Sequence, residues 1–195
     1  SFFVFALSSF LICIPLAAYY SYAPIFVGDM NIEDVAAKMT LGQMSEVLFM
    51  LILPLLFARY GVKYILLGGM LAWAVRYVLF AVSASTGTIS LVFLGIIFHG
   101  ICYDLFFVAG QVYVDKKSTA DIRSQAQGFL VLITYGLGMF VGAQVAGYIY
   151  NLLLKGQTAL SVQSWQQFWL VFAVMTTVVI VYFFIGFKDK LNSKE

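Results

Sequence analysis

Six stretches of this 195-residue chain are apolar for long enough to cross a lipid bilayer: Phe2–Tyr22, Met39–Phe57, Tyr64–Val82, Leu91–Tyr113, Ala126–Leu153 and Phe168–Phe187. A helix rising 1.5 Å per residue needs about 20 apolar residues to match a hydrocarbon core of about 30 Å. Nothing else in the sequence narrows the fold as much. The composition, 63% hydrophobic and only 10% charged, lies far from the roughly 45–50% apolar and 25% charged of soluble domains. The chain reads as an all-α membrane protein, one bundle of six transmembrane helices over residues 1–195. The connections Ala23–Lys38, Ala58–Lys63, Ser83–Ser90, Val114–Gln125 and Lys155–Gln167 are too short for a second domain.

Alternating spans divide the 11 basic residues unevenly. Arg59, Lys63, Lys116, Lys117, Arg123, Lys188, Lys190 and Lys194 fall on one side, Lys38 and Lys155 on the other, and Arg76 inside a span. Cytoplasmic loops carry the excess of Lys and Arg, so both chain ends are expected in the cytoplasm. Two triplets of spans, Phe2–Val82 and Leu91–Phe187, fit a 3+3 inverted repeat of the transporter kind. The chain opens inside an apolar run, without methionine or a signal-peptide cleavage site, and is expected to be a piece of something longer. A net charge of +2 without a basic patch excludes nucleic acid as a partner. Cys13 and Cys102 lie in apolar segments and read as reduced packing residues.

Four ionisable residues interrupt the spans: Glu46, Arg76, His99 and Asp104. Glu46 stands in "GQMSEVLFMLILPLLF", ahead of eleven residues with neither charge nor hydroxyl. Charges at the centre of a span cost about 2.5–3.5 kcal/mol on insertion scales, which makes such residues functional candidates. Glu46 lies about 12 Å below Lys38, and Arg76 about 20 Å above Lys63 on the oppositely directed third span. They reach comparable depth and can pair, and a structural ion pair is one reading. The other is a binding face, because Gln43 shares the helix face of Glu46 and adds an amide that donates and accepts.

In the fourth span, "FHGICYDLFFVAGQVY", His99, Tyr103 and Phe107 recur every four residues as one stripe, with Asp104 and Gln111 on the neighbouring face. Aromatic rings bracketed by polar groups can stack a planar solute and fix its edges; packing between helices is the alternative. Gly138 and Gly142 form a small-xxx-small motif in span five, read as helix packing or as a hinge. Tyr103–Asp104 with Gly136–Met139 resembles the paired motifs of intramembrane aspartyl proteases, but Met139 stands where a second aspartate is required. HExxH, GxSxG and CxxC motifs are absent, and an enzyme is not expected.

"LGQMSEVLFMLILP", "ARYGVKYILLGGMLAWAVRYVLFA", "HGICYDLFFVAGQVYVDKK" and "AQGFLVLITYGLGMFVGA" resemble the C-terminal half of nucleoside:proton symporters in the major facilitator superfamily. "ARYGVK" also resembles the degenerate repeat of that superfamily's D-R-x-G-R-R loop. The resemblance implies a twelve-helix transporter whose two six-helix halves enclose a central site, with helices seven to twelve present here and the N-terminal half missing. It implies a nucleoside site lined by Gln43, Glu46, Tyr103 and Phe107, with Arg76 and Asp104 matching the family's Arg and Asp. The family carries side-chain amides on the first of these helices, where this chain has Tyr19 and Tyr20. That difference leaves the nucleoside, or another polar solute such as a sugar, open.

The expectation is therefore proton-coupled nucleoside uptake across the inner membrane by alternating access, with protons as the coupling ion and neither metal nor organic cofactor. Tyr19 joins Gln43, Glu46, Tyr103 and Phe107 as a substrate-binding candidate. Glu46, Asp104, Arg76 and His99 are the proton-coupling or charge-pair candidates. A carboxylic acid screened from water holds its proton more readily, which suits Glu46 or Asp104 to that task. A pore subunit would need a ring of like residues from several copies, and a membrane scaffold would tolerate neutral replacements of Gln43, Glu46 and Tyr103. The topology is checked with single cysteines at Ser118 and Asn31 in a background lacking Cys13 and Cys102. The two should label from opposite sides of the membrane, and labelling from one side would sink the alternating scheme.

Overall fold

The structure, a computed structural model, describes residues 1–155 and 162–188. Five of its helices are long and apolar enough to cross a membrane: α1 (Phe2–Asp29), α2 (Val35–Thr86), α3 (Ile89–Lys117), α4 (Arg123–Leu153) and α5 (Gln163–Gly186). The sequence predicts six spans; its second and third both fall inside the 52-residue α2. Straight, such a helix would be about 78 Å long, more than twice the hydrocarbon core. It is not straight. Gly61 has φ 73° and ψ 167°, a conformation open to glycine and closed to residues with a Cβ. The break divides α2 into α2a (35–60) and α2b (62–86). Glu46 on α2a and Arg76 on α2b both bond one imidazole, that of His99. Thirty residues of continuous helix would hold them about 45 Å apart, so the chain doubles back at Gly61.

The connections after α1, α2 and α3 are shorter than predicted because the helices run further. α1 passes Pro24 and ends at Asp29, leaving a tight link in which Asn31 and Asp34 both have positive φ. α2 ends at Thr86, where Gly87 takes the left-handed conformation (φ 70°) and its N–H bonds the Ser83 carbonyl. This is the usual way glycine closes a helix. Both α3 and α4 contain a wider, π-helical stretch, Asp104–Val108 and Leu132–Gly138. Such stretches are rare and cluster at functional sites.

Contacts at the two ends of the bundle fix its layout. At one end the Lys188 N–H donates to Ser1 Oγ at 3.2 Å. Lys63 Nζ donates to the Phe184 carbonyl at 2.9 Å, near the Gly61 turn. At the other end Trp165 Nε1 donates to Asp29 Oδ2 at 2.9 Å. Lys190 and Lys194, counted among the basic residues of one side, lie outside the described residues.

The core is aromatic. Trp169 stacks on Tyr77 (5.9 Å, 10°) and on Trp165 (6.1 Å, 16°) and meets Phe26, Phe80 and Phe168 edge-on or tilted. Aromatic pairs in such offset or edge geometries add about 0.5–1.5 kcal/mol each beyond burial. Cys13 and Cys102 are buried and free. The Gly138-xxx-Gly142 motif seats α4 on α1, where a Cβ on Gly142 would stand 2.7 Å from Ala17 Cβ and 2.9 Å from the Cys13 carbonyl. Gly142→Ala should therefore cost about 1–3 kcal/mol by forcing two backbones apart. Gly128 faces open space, and Gly128→Ala should be neutral or stabilise by up to about 1 kcal/mol through helix propensity. Melting temperatures of the two variants check the contrast.

Candidate functional site

Small residues bring α2a against α3. Ser45 Oγ donates to the Gly42 carbonyl at 2.6 Å and accepts the Gly100 N–H at 2.9 Å. A Cβ on Gly100 would stand 2.4 Å from the Ser45 carbonyl carbon and 2.5 Å from the Glu46 nitrogen, and one on Gly42 would stand 3.2 Å from His99 Cβ. Glycine at both positions lets the helices touch. That contact brings the short Glu46 side chain within reach of His99.

Glu46 and Arg76 do not pair directly. His99 stands between them, with Nε2 at 3.0 Å from Glu46 Oε1 and Nδ1 at 2.9 Å from Arg76 Nη1. Arginine only donates hydrogen bonds, so Nδ1 must accept and the ring hydrogen must sit on Nε2, aimed at the carboxylate. The tautomer follows from the donor inventory. Arg76 and His99 are buried, whereas the Glu46 side chain keeps 23% of its surface exposed. The Arg76 guanidinium lies 3.8 Å over the Tyr19 ring and 5.4 Å from that of Tyr77. Desolvated cation–π contacts of this kind are worth about 2 kcal/mol. Arg76 Nε and Nη2 make no hydrogen bond among the described residues.

Tyr19 is buried, stacked on His99 at 5.0 Å and 22° and on Phe80 at 6.2 Å and 2°. Its neighbour Tyr20 is half-exposed and meets the imidazole edge-on at 5.8 Å. Tyr19, Tyr20, Pro24, Met39 and Gln43 line a cavity of about 390 Å³.

The stripe of α3 forms as its spacing predicts. Tyr103 lies 5.9 Å from His99 and 5.4 Å from Phe107, ring to ring. Phe107 also packs against Trp73 at 5.5 Å and Tyr135 at 5.5 Å. Tyr135, from the π-helical stretch of α4, donates its O–H to the Tyr103 oxygen at 2.6 Å. Sequence reasoning missed Tyr135; the available signal was a phenol set among glycines in "ITYGLG".

Asp104 opens the π-helical stretch of α3 and is fully buried, and neither carboxyl oxygen has a hydrogen-bond partner among the described residues. Gln111, expected on the same face, is exposed and offers its backbone carbonyl to Gln127 Nε2 at 2.9 Å. The expectation assumed 3.6 residues per turn throughout, and the wider turns between the two residues break that register. Among the described residues no group of His, Cys, Asp or Glu could hold a metal ion.

These features define a multi-pass membrane protein with a polar, aromatic-lined site between its helices. The chain belongs to the Nucleoside H+ symporter family, whose profile matches residues 1–192. It is 36% identical over 196 residues to the putative nucleoside transporter YegT of Escherichia coli K12, covering 98% of this chain and 46% of that protein. It is 34% identical over 169 residues to the nucleoside permease NupG of E. coli K12, covering 86% and 39%. The xanthosine permease of the same strain is 32% identical over 176 residues, covering 89% and 41%. The crystal structure of NupG superposes with a TM-score of 0.82 at 28% identity, over 96% of this chain and 48% of that one. The chain spans about half the length of the curated relatives it matches. Those relatives are transporters and permeases, not enzymes.

Proposed function

We propose that this chain is the C-terminal six-helix half of a twelve-helix, proton-coupled nucleoside symporter of the bacterial inner membrane, working by alternating access against an N-terminal half. Membership of the Nucleoside H+ symporter family and the half-length match to NupG support this reading. The reversal at Gly61 and the adjacency of Ser1 and Lys188 support six crossings with both chain ends on one side; in this reading the crossings form a 3+3 repeat, and the excess of Lys and Arg on that side puts the ends in the cytoplasm. An odd number of crossings would set those residues at opposite ends.

The observation that carries the site assignment is the carboxylate of Glu46, held on one oxygen by His99 while its side chain stays partly exposed. In this reading Glu46 and the exposed Gln43 take the polar edges of a nucleoside. Tyr103, Phe107 and Tyr19 supply the aromatic surroundings, Tyr19 from behind His99. Asp104, buried on the π-helical stretch of α3 with neither carboxyl oxygen hydrogen-bonded among the described residues, is in this reading the group that carries the coupling proton.

The test uses the full-length protein. Glu46→Gln keeps an amide oxygen to accept the His99 N–H but removes the charge. A charge-assisted bond to a sugar hydroxyl is worth about 1.5–3 kcal/mol, so nucleoside affinity should fall roughly tenfold to a hundredfold while melting temperature changes little. Normal affinity in a folded Glu46→Gln protein would remove Glu46 from the binding site. Asp104→Asn should still bind nucleoside yet fail to accumulate it under a proton gradient; accumulation at the wild-type level would take the proton from Asp104. The described half alone, in vesicles, should not concentrate nucleoside.

A further inference from the structure

We propose that His99 is a positioning residue for substrate: it clamps one oxygen of Glu46 and so aims the other at the ligand. This inference rests on the reading of Glu46 as a substrate-binding group and adds to it how the carboxylate is held.

Every side of the imidazole is occupied. Nδ1 takes the Arg76 N–H at 2.9 Å, Nε2 gives its hydrogen to Glu46 Oε1 at 3.0 Å, Tyr19 stacks on one face, and Tyr20 and Tyr103 flank the ring. Gly42 lies against its Cβ. The ring cannot turn without leaving Arg76 uncompensated in the core. Because Arg76 never gives up its proton in a protein, Nδ1 is permanently an acceptor and the Nε2 hydrogen permanently faces Glu46. A further proton on Nδ1 would set two cations in contact. The groups that surround the ring, Arg76, Glu46, Tyr19, Tyr20 and Tyr103, include one fixed positive charge and one carboxylate. His99 therefore keeps one tautomer through the cycle, and the carboxylate keeps one orientation. No hydrogen bond to Glu46 Oε2 forms among the described residues, and that oxygen is the one left for a substrate hydroxyl.

Two amides dissect the clamp. The longer side chain of His99→Gln places its NH₂ near the position of Nε2, facing Glu46, whereas His99→Asn places its amide near Nδ1, facing Arg76. In full-length protein His99→Gln should hold nucleoside affinity within roughly threefold of wild type, and His99→Asn should weaken it roughly tenfold. The loss should appear in KM more than in the maximal rate, and the pH profile of uptake should stay as in wild type for both. A purely structural role, satisfying Arg76, predicts the opposite ranking, and that ranking would overturn the proposal. So would a pH profile that shifts in His99→Gln, which would make His99 a proton carrier. If only one variant folds, its affinity alone decides; if neither folds, His99 serves the fold and the proposal fails. Glu46→Gln run alongside separates the two layers. Normal binding there condemns the Glu46 assignment itself, whereas weakened binding there with the wrong His99 ranking condemns only the clamp.

Discussion

A guanidinium with no exposed surface is the constraint around which the rest of this chain is built. An isolated cation at membrane depth is too costly to persist unless its surroundings replace water. Arg76 is surrounded by a neutral imidazole nitrogen, the face of Tyr19 and, further off, the rings of Tyr77 and Trp73. Those partners come from α1, α2b and α3. Solvating one charge therefore sets the relative positions of three helices, and the imidazole that does part of the work delivers the far end of the relay to Glu46 on a fourth helical arm.

The close packing of α2a on α3 is the second requirement. The relay spans two contacts of about 3 Å on either side of a five-membered ring, so the backbones must approach closely. Gly42, Ser45 and Gly100 permit that approach, and the Ser45 hydroxyl is satisfied within the interface by the Gly42 carbonyl and the Gly100 N–H. Polar atoms at a helix interface in lipid are tolerable on that condition. The geometry of the site is thus a property of the small residues beside it as much as of the charged ones within it.

The spans were legible because a run of 20 apolar residues has few alternatives in water or lipid. Their number was not read by hydropathy in the way the backbone expresses it, since helical structure resumes directly after Gly61 and the reversal occupies one residue in place of the six allotted to Ala58–Lys63. The stripe of His99, Tyr103 and Phe107 was legible from its spacing of four. The faces beyond it were not, because the wider turns from Asp104 onward shift register in a manner no periodicity announces. Glu46 and Arg76 could be matched by depth, but depth cannot reveal that a third side chain stands between them. Tyr135 was invisible for a similar reason: its relation to Tyr103 is a contact between helices, and sequence spacing describes only one helix at a time.

The reversal at Gly61 also bears on how the chain enters a membrane. Its two arms emerge from the ribosome in succession, one with a carboxylate and the other with a guanidinium, and their charges lie thirty residues apart in sequence yet at similar depth. Inserted singly, each arm would present a lone charge to lipid; inserted together as a hairpin, the arms present opposite charges that attract across a short gap in a medium of low dielectric constant. The imidazole that completes the arrangement is synthesised 23 residues after Arg76. The two arms are therefore bridged by a helix that follows both of them in the sequence, so the charge arrangement of the hairpin is complete only with α3 in place.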